Sequence, residues 1–317
     1  MLDIATLDSH RSELIGFCYR FFGCYADAED AVQETMTRAW QHAQDFGYRS
    51  SVRRWLYAIA TNVCLDMKKA PQRRYLPMDL SVAGQVPDGA AALETLPELT
   101  WVGPISDEVL SDDPAERAAL RDSIRLAFIT ALQVLPPRQR AVLILRDVIT
   151  WSARECAELL NTSVAAVNSA LTRARSTLSD HHQGESKPYD QQLLVNYVTA
   201  FEAYDVDRLV ALLAEDAKFS MPPYTLWLQG THAIESWWRG PGEVCRGSRT
   251  ITVRANGQPA VAVYHAVSST RWEPFAIHVL ETAHGQIEAI THFMGAGVFR
   301  EFNLPSQLTA STLVKEI

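Results

Sequence analysis

The sequence has no uninterrupted apolar run near 18 residues, which excludes a conventional membrane-spanning helix. Its opening residues, MLDIATLDSHRSE, lack the basic and apolar stretches of a secretory leader, so none is expected. Cysteine is sparse and odd in number: Cys18, Cys24, Cys64, Cys156 and Cys245, without a C-x-x-C spacing. A disulfide framework is therefore not expected, and reduced thiols in a cytoplasmic protein are. His181-His182 sits in a polar stretch, and neither a metal site nor a cofactor is expected. No internal repeat is evident. Apolar residues are plentiful, at 47% of 317 residues, enough for two or three globular cores.

Net charge is −8, which taken alone argues against a nucleic-acid partner. The distribution argues the other way. Phe46 to Tyr75 carries seven Lys/Arg and one acid, and Arg138 to Leu178 carries six Arg and three acids. Between them, Asp88 to Asp122 holds nine acids and two Arg. Two basic islands around an acidic interval suggest two nucleic-acid contacts on one chain.

Periodicity divides the chain. Asp27 to His42 places Ala28, Ala31, Val32, Met36, Ala39 and Trp40 on one expected buried stripe. Arg53 to Met67 repeats the pattern with Trp55, Leu56, Ile59, Ala60, Val63 and Met67. Residues 1–70 thus read as a helical domain, and 71–113 as a flexible or functional acidic linker. Helices resume over 114–180, with one predicted for Leu120 to Leu135 and closed by Pro136-Pro137. A second linker covers 181–189. From 190 to 317 the pattern is amphipathic helix followed by short alternating runs, with Asn256-Gly257 and His284-Gly285 as hairpin turns. That order predicts an α+β domain with a curved antiparallel sheet.

The segment NTSVAAVNSALTRARSTL, Asn161 to Leu178, has Val164, Val167, Leu171, Ala174 and Leu178 on an expected buried stripe. Its other face carries Asn168, Ser169, Thr172, Arg173, Arg175 and Ser176, and no acid. The preceding TWSARECAELL is a second short amphipathic helix, and Thr162 or Ser163 can cap the next. Two such helices joined by a tight turn form a helix–turn–helix, whose second helix enters the major groove. Amides, hydroxyls and arginines there offer donors and acceptors to bases and phosphates.

Three stretches resemble a known family. DAEDAVQETMTRAW (Asp27–Trp40) resembles region 2.2 of extracytoplasmic-function sigma-70 factors. RRWLYAIATNVCLDM (Arg53–Met67) resembles regions 2.3 and 2.4, and Leu135–Leu178 resembles region 4. The remainder, ending FREFNLPSQL, resembles the SnoaL-like extension of one subgroup. The resemblance implies two all-α sigma domains followed by a cone-shaped NTF2-like domain. It also implies binding to core RNA polymerase through the β′ clamp and β subunit, and to promoter DNA. By that resemblance the polymerase face comprises Asp27, Glu29, Asp30, Gln33 and Glu34. The −10 face comprises Arg49, Arg53, Arg54, Asn62, Lys68 and Lys69, with Asn62 in the position that helps hold a flipped base. The −35 face comprises Arg138, Arg140, Asn168, Ser169, Thr172, Arg173 and Arg175; of these Arg138, Arg140 and Arg175 are implied backbone contacts. Many relatives carry Arg where Asn168 stands, and the shorter amide is suited to reading a base. Trp55 is better placed for packing than for stacking on a base. The sequence names no anti-sigma partner.

For the C-terminal domain, Asp216, Tyr224, Trp227, His265, His278 and His292 are candidate lining residues of a pocket. An enzyme of this fold would need an acid/base pair. No Asp/His pairing is fixed by local spacing, and a regulatory role in cis is expected instead. Two alternatives remain at this stage: a stand-alone helix–turn–helix regulator, which leaves the first two motifs unexplained, and a bifunctional chain with a working or ligand-binding C-terminal domain.

Overall fold

The computed structural model describes residues 4–44, 46, 51–67, 73–87, 93–111, 119–179 and 191–310. The chain forms two compact units. One contains Met1–Arg74 and Asp107–Gly184, and the other Tyr75–Ser106 and Glu185–Ile317.

The first unit is helical. Its elements are α1 (Ile4–Asp8), α2 (Arg11–Phe22), α3 (Tyr25–Gln41), α4 (Val52–Asp66), α5 (Asp107–Leu110), α6 (Leu126–Val134), α7 (Pro137–Leu143), α8 (Ala153–Leu159) and α9 (Val164–Ser179). The α3 stripe buries Ala28, Ala31, Val32, Thr35 and Ala39. Small residues on this stripe let α2, α3 and α4 pack closely, around Leu14, Phe17, Leu56 and Ala60. Trp40 departs from the expected stripe: it is 64% exposed. At 100° per residue it lies roughly 120° from Ala28, past the edge of the buried arc. The helix expected over Leu120–Leu135 is interrupted. A 3-10 turn at Arg121–Ile124 is followed by an extended Arg125 (ψ 144°), after which α6 begins. Pro137 then sits in the first turn of α7, where its missing N–H costs nothing.

The second unit contains α10 (Gln191–Ala203), α11 (Val206–Ala211), β1 (Leu213–Ser220), β2 (Trp227–Gln229), α12 (Thr231–Trp238), β3 (Arg249–Ala255), β4 (Gln258–Ser268), β5 (Arg271–Ala283), β6 (Gln286–Met294), α13 (Ala296–Glu301) and β7 (Leu308–Thr309). The strand order is β2-β1-β6-β5-β4-β3, with β7 on β5. Asn256-Gly257 and His284-Gly285 all have positive φ, and they join β3 to β4 and β5 to β6 as tight hairpins. The sheet is not wholly antiparallel, because β1 pairs with β6 in parallel. Tyr197 and Phe201 from α10, and Trp237 and Trp238 from α12, pack with Phe219, Val261, Val263, Leu280 and Ile290 of the sheet.

The described residues of the 75–106 segment do not hang free as a linker; they pair with strand β2, the loop before it and the β3–β4 turn. Gly84 N–H donates to Trp227 O (2.8 Å), Leu96 N–H to Pro223 O (3.0 Å) and Thr225 N–H to Glu94 O (3.0 Å). Ile105 N–H donates to Asn256 Oδ1 (3.1 Å), and Asn256 N–H donates back to Ile105 O (3.0 Å).

Candidate nucleic-acid interface

The two helices α8 and α9 make the expected helix–turn–helix. Ser152 and Glu155 form a capping box: Glu155 N–H donates to Ser152 Oγ (3.2 Å), and Ser152 N–H donates to Glu155 Oε2 (2.7 Å). The S-x-x-E spacing at 152–155 carried this signal in the sequence. Asn161 turns the chain with φ 47°, and Ser163 Oγ caps α9 by accepting from Ala166 N–H (3.1 Å). Val167, Leu171 and Ala174 are buried, while Asn168, Ser169, Thr172, Arg173 and Arg175 are exposed. Val164, expected in the buried stripe, is 44% exposed, because it starts the helix where no packed turn covers it.

The arginines differ in what they hold. Arg173 Nη1 donates to Ser169 Oγ one turn back (2.6 Å), which orients an exposed guanidinium. Arg175 is gripped by Asp147, Nε to Oδ2 (2.9 Å) and Nη2 to Oδ1 (2.7 Å). Arg138 is exposed. Arg140 corrects the expectation of a DNA-backbone contact: it is 1% exposed. Its guanidinium donates to the carbonyls of Leu132 (2.9 Å), Phe21 (2.5 Å), Gln133 (3.1 Å) and Leu135 (3.1 Å). Burial lowers its pKa to about 10, still high enough to keep the charge.

On α4, Asn62 is exposed. Arg53 Nε donates to Glu13 Oε2 (2.6 Å), and Arg54 Nη1 donates to Glu155 Oε1 (2.7 Å) with its ring-facing side over Trp151. Arg53 and Arg54, expected at the −10 element, are therefore each matched by a carboxylate of the chain, and Arg54 joins α4 to the helix–turn–helix within the same compact unit. Arg49, Lys68 and Lys69 lie outside the described residues.

On α3, Asp30, Gln33 and Glu34 are exposed. Glu34 accepts from Arg38 Nε (2.7 Å), and Glu29 accepts from Arg11 (3.2 Å). Asp27 is mostly covered and paired with the buried Arg74, so it ties the helix start to the chain beyond α4. Met36 is half-buried, and exposed Trp40 continues the Glu29–Gln33–Met36 ridge at i, i+4, i+7 and i+11.

In the C-terminal unit, β5 and β6 set His278 directly opposite His292. Tyr197 OH and His278 Nδ1 are 3.0 Å apart. His292 Nδ1 lies 3.1 Å from Ser220 O; a carbonyl only accepts, so that nitrogen carries the proton. Burial holds His292 near pKa 4 and His278 well below the usual value, and keeps the Tyr197 phenol protonated. His278 Nε2 finds no partner among the described residues. His265 is half-buried, stacks on Phe275 and approaches Cys245 Sγ (3.3 Å). Three other expected lining residues are elsewhere. Asp216 is exposed on β1. Trp227 turns its Nε1 to Ser81 O (2.9 Å), because strand alternation gives the inward slot to Leu228. Tyr224 pairs with Thr95 of the docked segment. The histidines thus have no Asp216 beside them.

The comparisons with known proteins follow this division. Residues 6–74 match Sigma-70 region 2, residues 125–178 match Sigma-70, region 4, and residues 194–290 match the SnoaL-like domain. The chain is 42% identical to the ECF RNA polymerase sigma factor SigG of Mycobacterium tuberculosis (strain ATCC 25618 / H37Rv) over 96% of its own length and 84% of that protein's. It is 28% identical to the ECF RNA polymerase sigma factor SigW of Bacillus subtilis (strain 168), over 54% of this chain and 84% of that one. The crystal structure of the Mycobacterium tuberculosis extracytoplasmic function sigma factor SigJ shares the fold, with a TM-score of 0.62 at 23% identity, covering 96% of this chain and all of that one. Among the described residues no helix is long and apolar enough to cross a membrane. The chain belongs to the ECF sigma-70 family of RNA polymerase sigma factors, transcription initiation proteins rather than enzymes, and carries a C-terminal SnoaL-like domain.

Proposed function

We propose that this sigma factor works in the cytoplasm. There α3 docks on the β′ clamp coiled coil, the α4 region engages the −10 element, α9 reads the −35 duplex, and the SnoaL-like domain regulates these steps in cis. The docking face is the ridge Glu29, Gln33, Met36 and Trp40, exposed at Gln33 and Trp40 and partly so at Glu29 and Met36, with Asp30 and Glu34 beside it. Its i, i+4, i+7, i+11 spacing suits packing against helices. Asn62 offers an exposed amide to a flipped base.

The observation that carries the cis reading is the pairing of Tyr75–Ser106 with the C-terminal domain. That segment is the chain between region 2 and region 4. By their names the −10 and −35 elements lie about 25 base pairs apart, roughly 85 Å of duplex. A compact unit of about 150 residues has a radius of gyration of about 15 Å. The two regions must therefore separate on a promoter, and the connecting segment has to be released or carried by the domain that holds it. The ion pair from Arg54 to Glu155 must break in the same step.

Reconstitution of the full chain with bacterial core polymerase, followed by transcription of a fragmented genomic library, tests this reading. Discrete start sites that depend on the protein are expected. Absence of core binding, with duplex binding retained, would favour a stand-alone regulator.

A further inference from the structure

We propose that Val164 is a specificity-determining residue of α9, packing its isopropyl group on the C5-methyl of a thymine in the −35 element. The inference rests on the reading of α9 as the duplex-reading helix.

A helix–turn–helix brings the N-terminal residues of its second helix to the base edges. Here that first turn is Val164, Ala165 and Ala166, all exposed. The nearest polar side chain, Ser163, is already used as the cap of Ala166 N–H. The next turn changes character and presents Asn168 and Ser169, with Thr172 and Arg173 beyond. Val164 is one turn before Asn168, about 40° round the helix from it and about 20° from buried Leu171, at the border between the two faces. Its exposed side therefore borders the proposed polar reading face.

The first turn can hydrogen-bond no base edge through its side chains. In the major groove guanine shows N7 and O6, adenine N7 and an amino group, and cytosine an amino group; only thymine shows a methyl. Placing the 44% exposed valine against any of the polar groups strips water from them without replacement, which is unfavourable. Against a thymine methyl, the same approach removes two apolar surfaces from water. Valine in a helix keeps essentially one χ1 rotamer, so ordering it on the base costs little. The two alanines beside it leave room for the helix tip to come close.

The test uses holoenzyme made from the full chain and core polymerase. Binding sites are selected from promoters with a randomised −35 region, and each selected thymine is then replaced singly by uracil, which removes only the methyl. One thymine is expected whose replacement weakens wild-type binding about fourfold, the worth of one buried methyl-sized group. Val164→Ala should be nearly indifferent to the same replacement, while Val164→Thr, which keeps one branch methyl, should retain part of it. Equal melting temperatures of the variants and wild type exclude a folding effect, as an exposed residue predicts. The inference is overturned if no thymine is selected, or if uracil costs wild type and Val164→Ala the same. Selection of no −35 sequence at all would instead remove the reading of α9 as the duplex reader, and this inference with it.

Discussion

Asp147 holds Arg175 with both carboxylate oxygens, clamping the π-helical stretch Ile144–Val148 that continues α7 to the exposed side of α9. The pair is largely solvent-exposed, so its contribution to stability is small, within about 1 kcal/mol. Its charge consequence is larger. An arginine already neutralised by an aspartate releases few counterions from DNA. Arg175→Ala should therefore leave the salt slope of promoter binding nearly unchanged. Asp147→Asn should steepen it by about one ion, as the freed guanidinium finds a phosphate. A slope that falls by about one in Arg175→Ala would show a direct phosphate contact.

Arg140→Ala should act on folding rather than on DNA. The substitution leaves four buried carbonyl groups without their donor, a loss of about 3–5 kcal/mol by analogy with broken buried charged pairs. Thermal or urea denaturation measures it. A stable variant with weakened −35 binding would contradict the structural role.

Trp40→Ala and Asn62→Ala should separate two steps of initiation. Trp40 is exposed, so its loss should spare folding and cost about 2 kcal/mol of core affinity, the scale of an interface hot spot. Asn62→Ala should leave core affinity intact and weaken open-complex formation by about 1–3 kcal/mol, the range for a lost bidentate amide contact. Titration against core polymerase and permanganate probing of the opened strand read the two effects. The assignments fail if both variants lose the same step.

The SnoaL-like domain should lose stability as pH falls from about 6.5 to 4. His278 and His292 are buried and neutral, with folded pKa values below the unfolded one. The unfolded chain therefore binds more protons in this window, and stability rises with pH across it. For His292 alone the change is roughly 3 kcal/mol between the ends of the window. Replacing His292 with Gln should flatten that part of the pH profile in chemical denaturation. An unchanged profile would mean that the histidines are solvated.

The sequence made the regular elements legible and hid what irregular backbone does. The α3 and α4 stripes, the helix–turn–helix and both Asn-Gly and His-Gly hairpins follow from period and turn chemistry. Trp40 and Val164 sit at the edges of their stripes, where apolar identity suggests burial but the helical angle of Trp40 and the missing neighbours of Val164 decide otherwise. Local spacing places Arg140 among surface cations. Its burial depends on carbonyls gathered from the ends of α2 and α6, a convergence that local spacing does not show. The docking of Tyr75–Ser106 left no periodic trace, since it is made by backbone hydrogen bonds from a non-periodic segment. In the C-terminal unit His278 and His292 were found as individual residues. Their pairing needed the register of β5 and β6.

The most direct test of the account compares run-off transcription by the full chain and by a chain lacking residues 187–317, at matched concentrations of protein bound to core polymerase. Core binding and thermal melting are measured alongside. The shortened chain is expected still to bind core through α3 but to initiate at a different rate, because Tyr75–Ser106 has lost the domain that holds it. Identical initiation at every promoter by two folded, core-bound proteins would contradict regulation in cis.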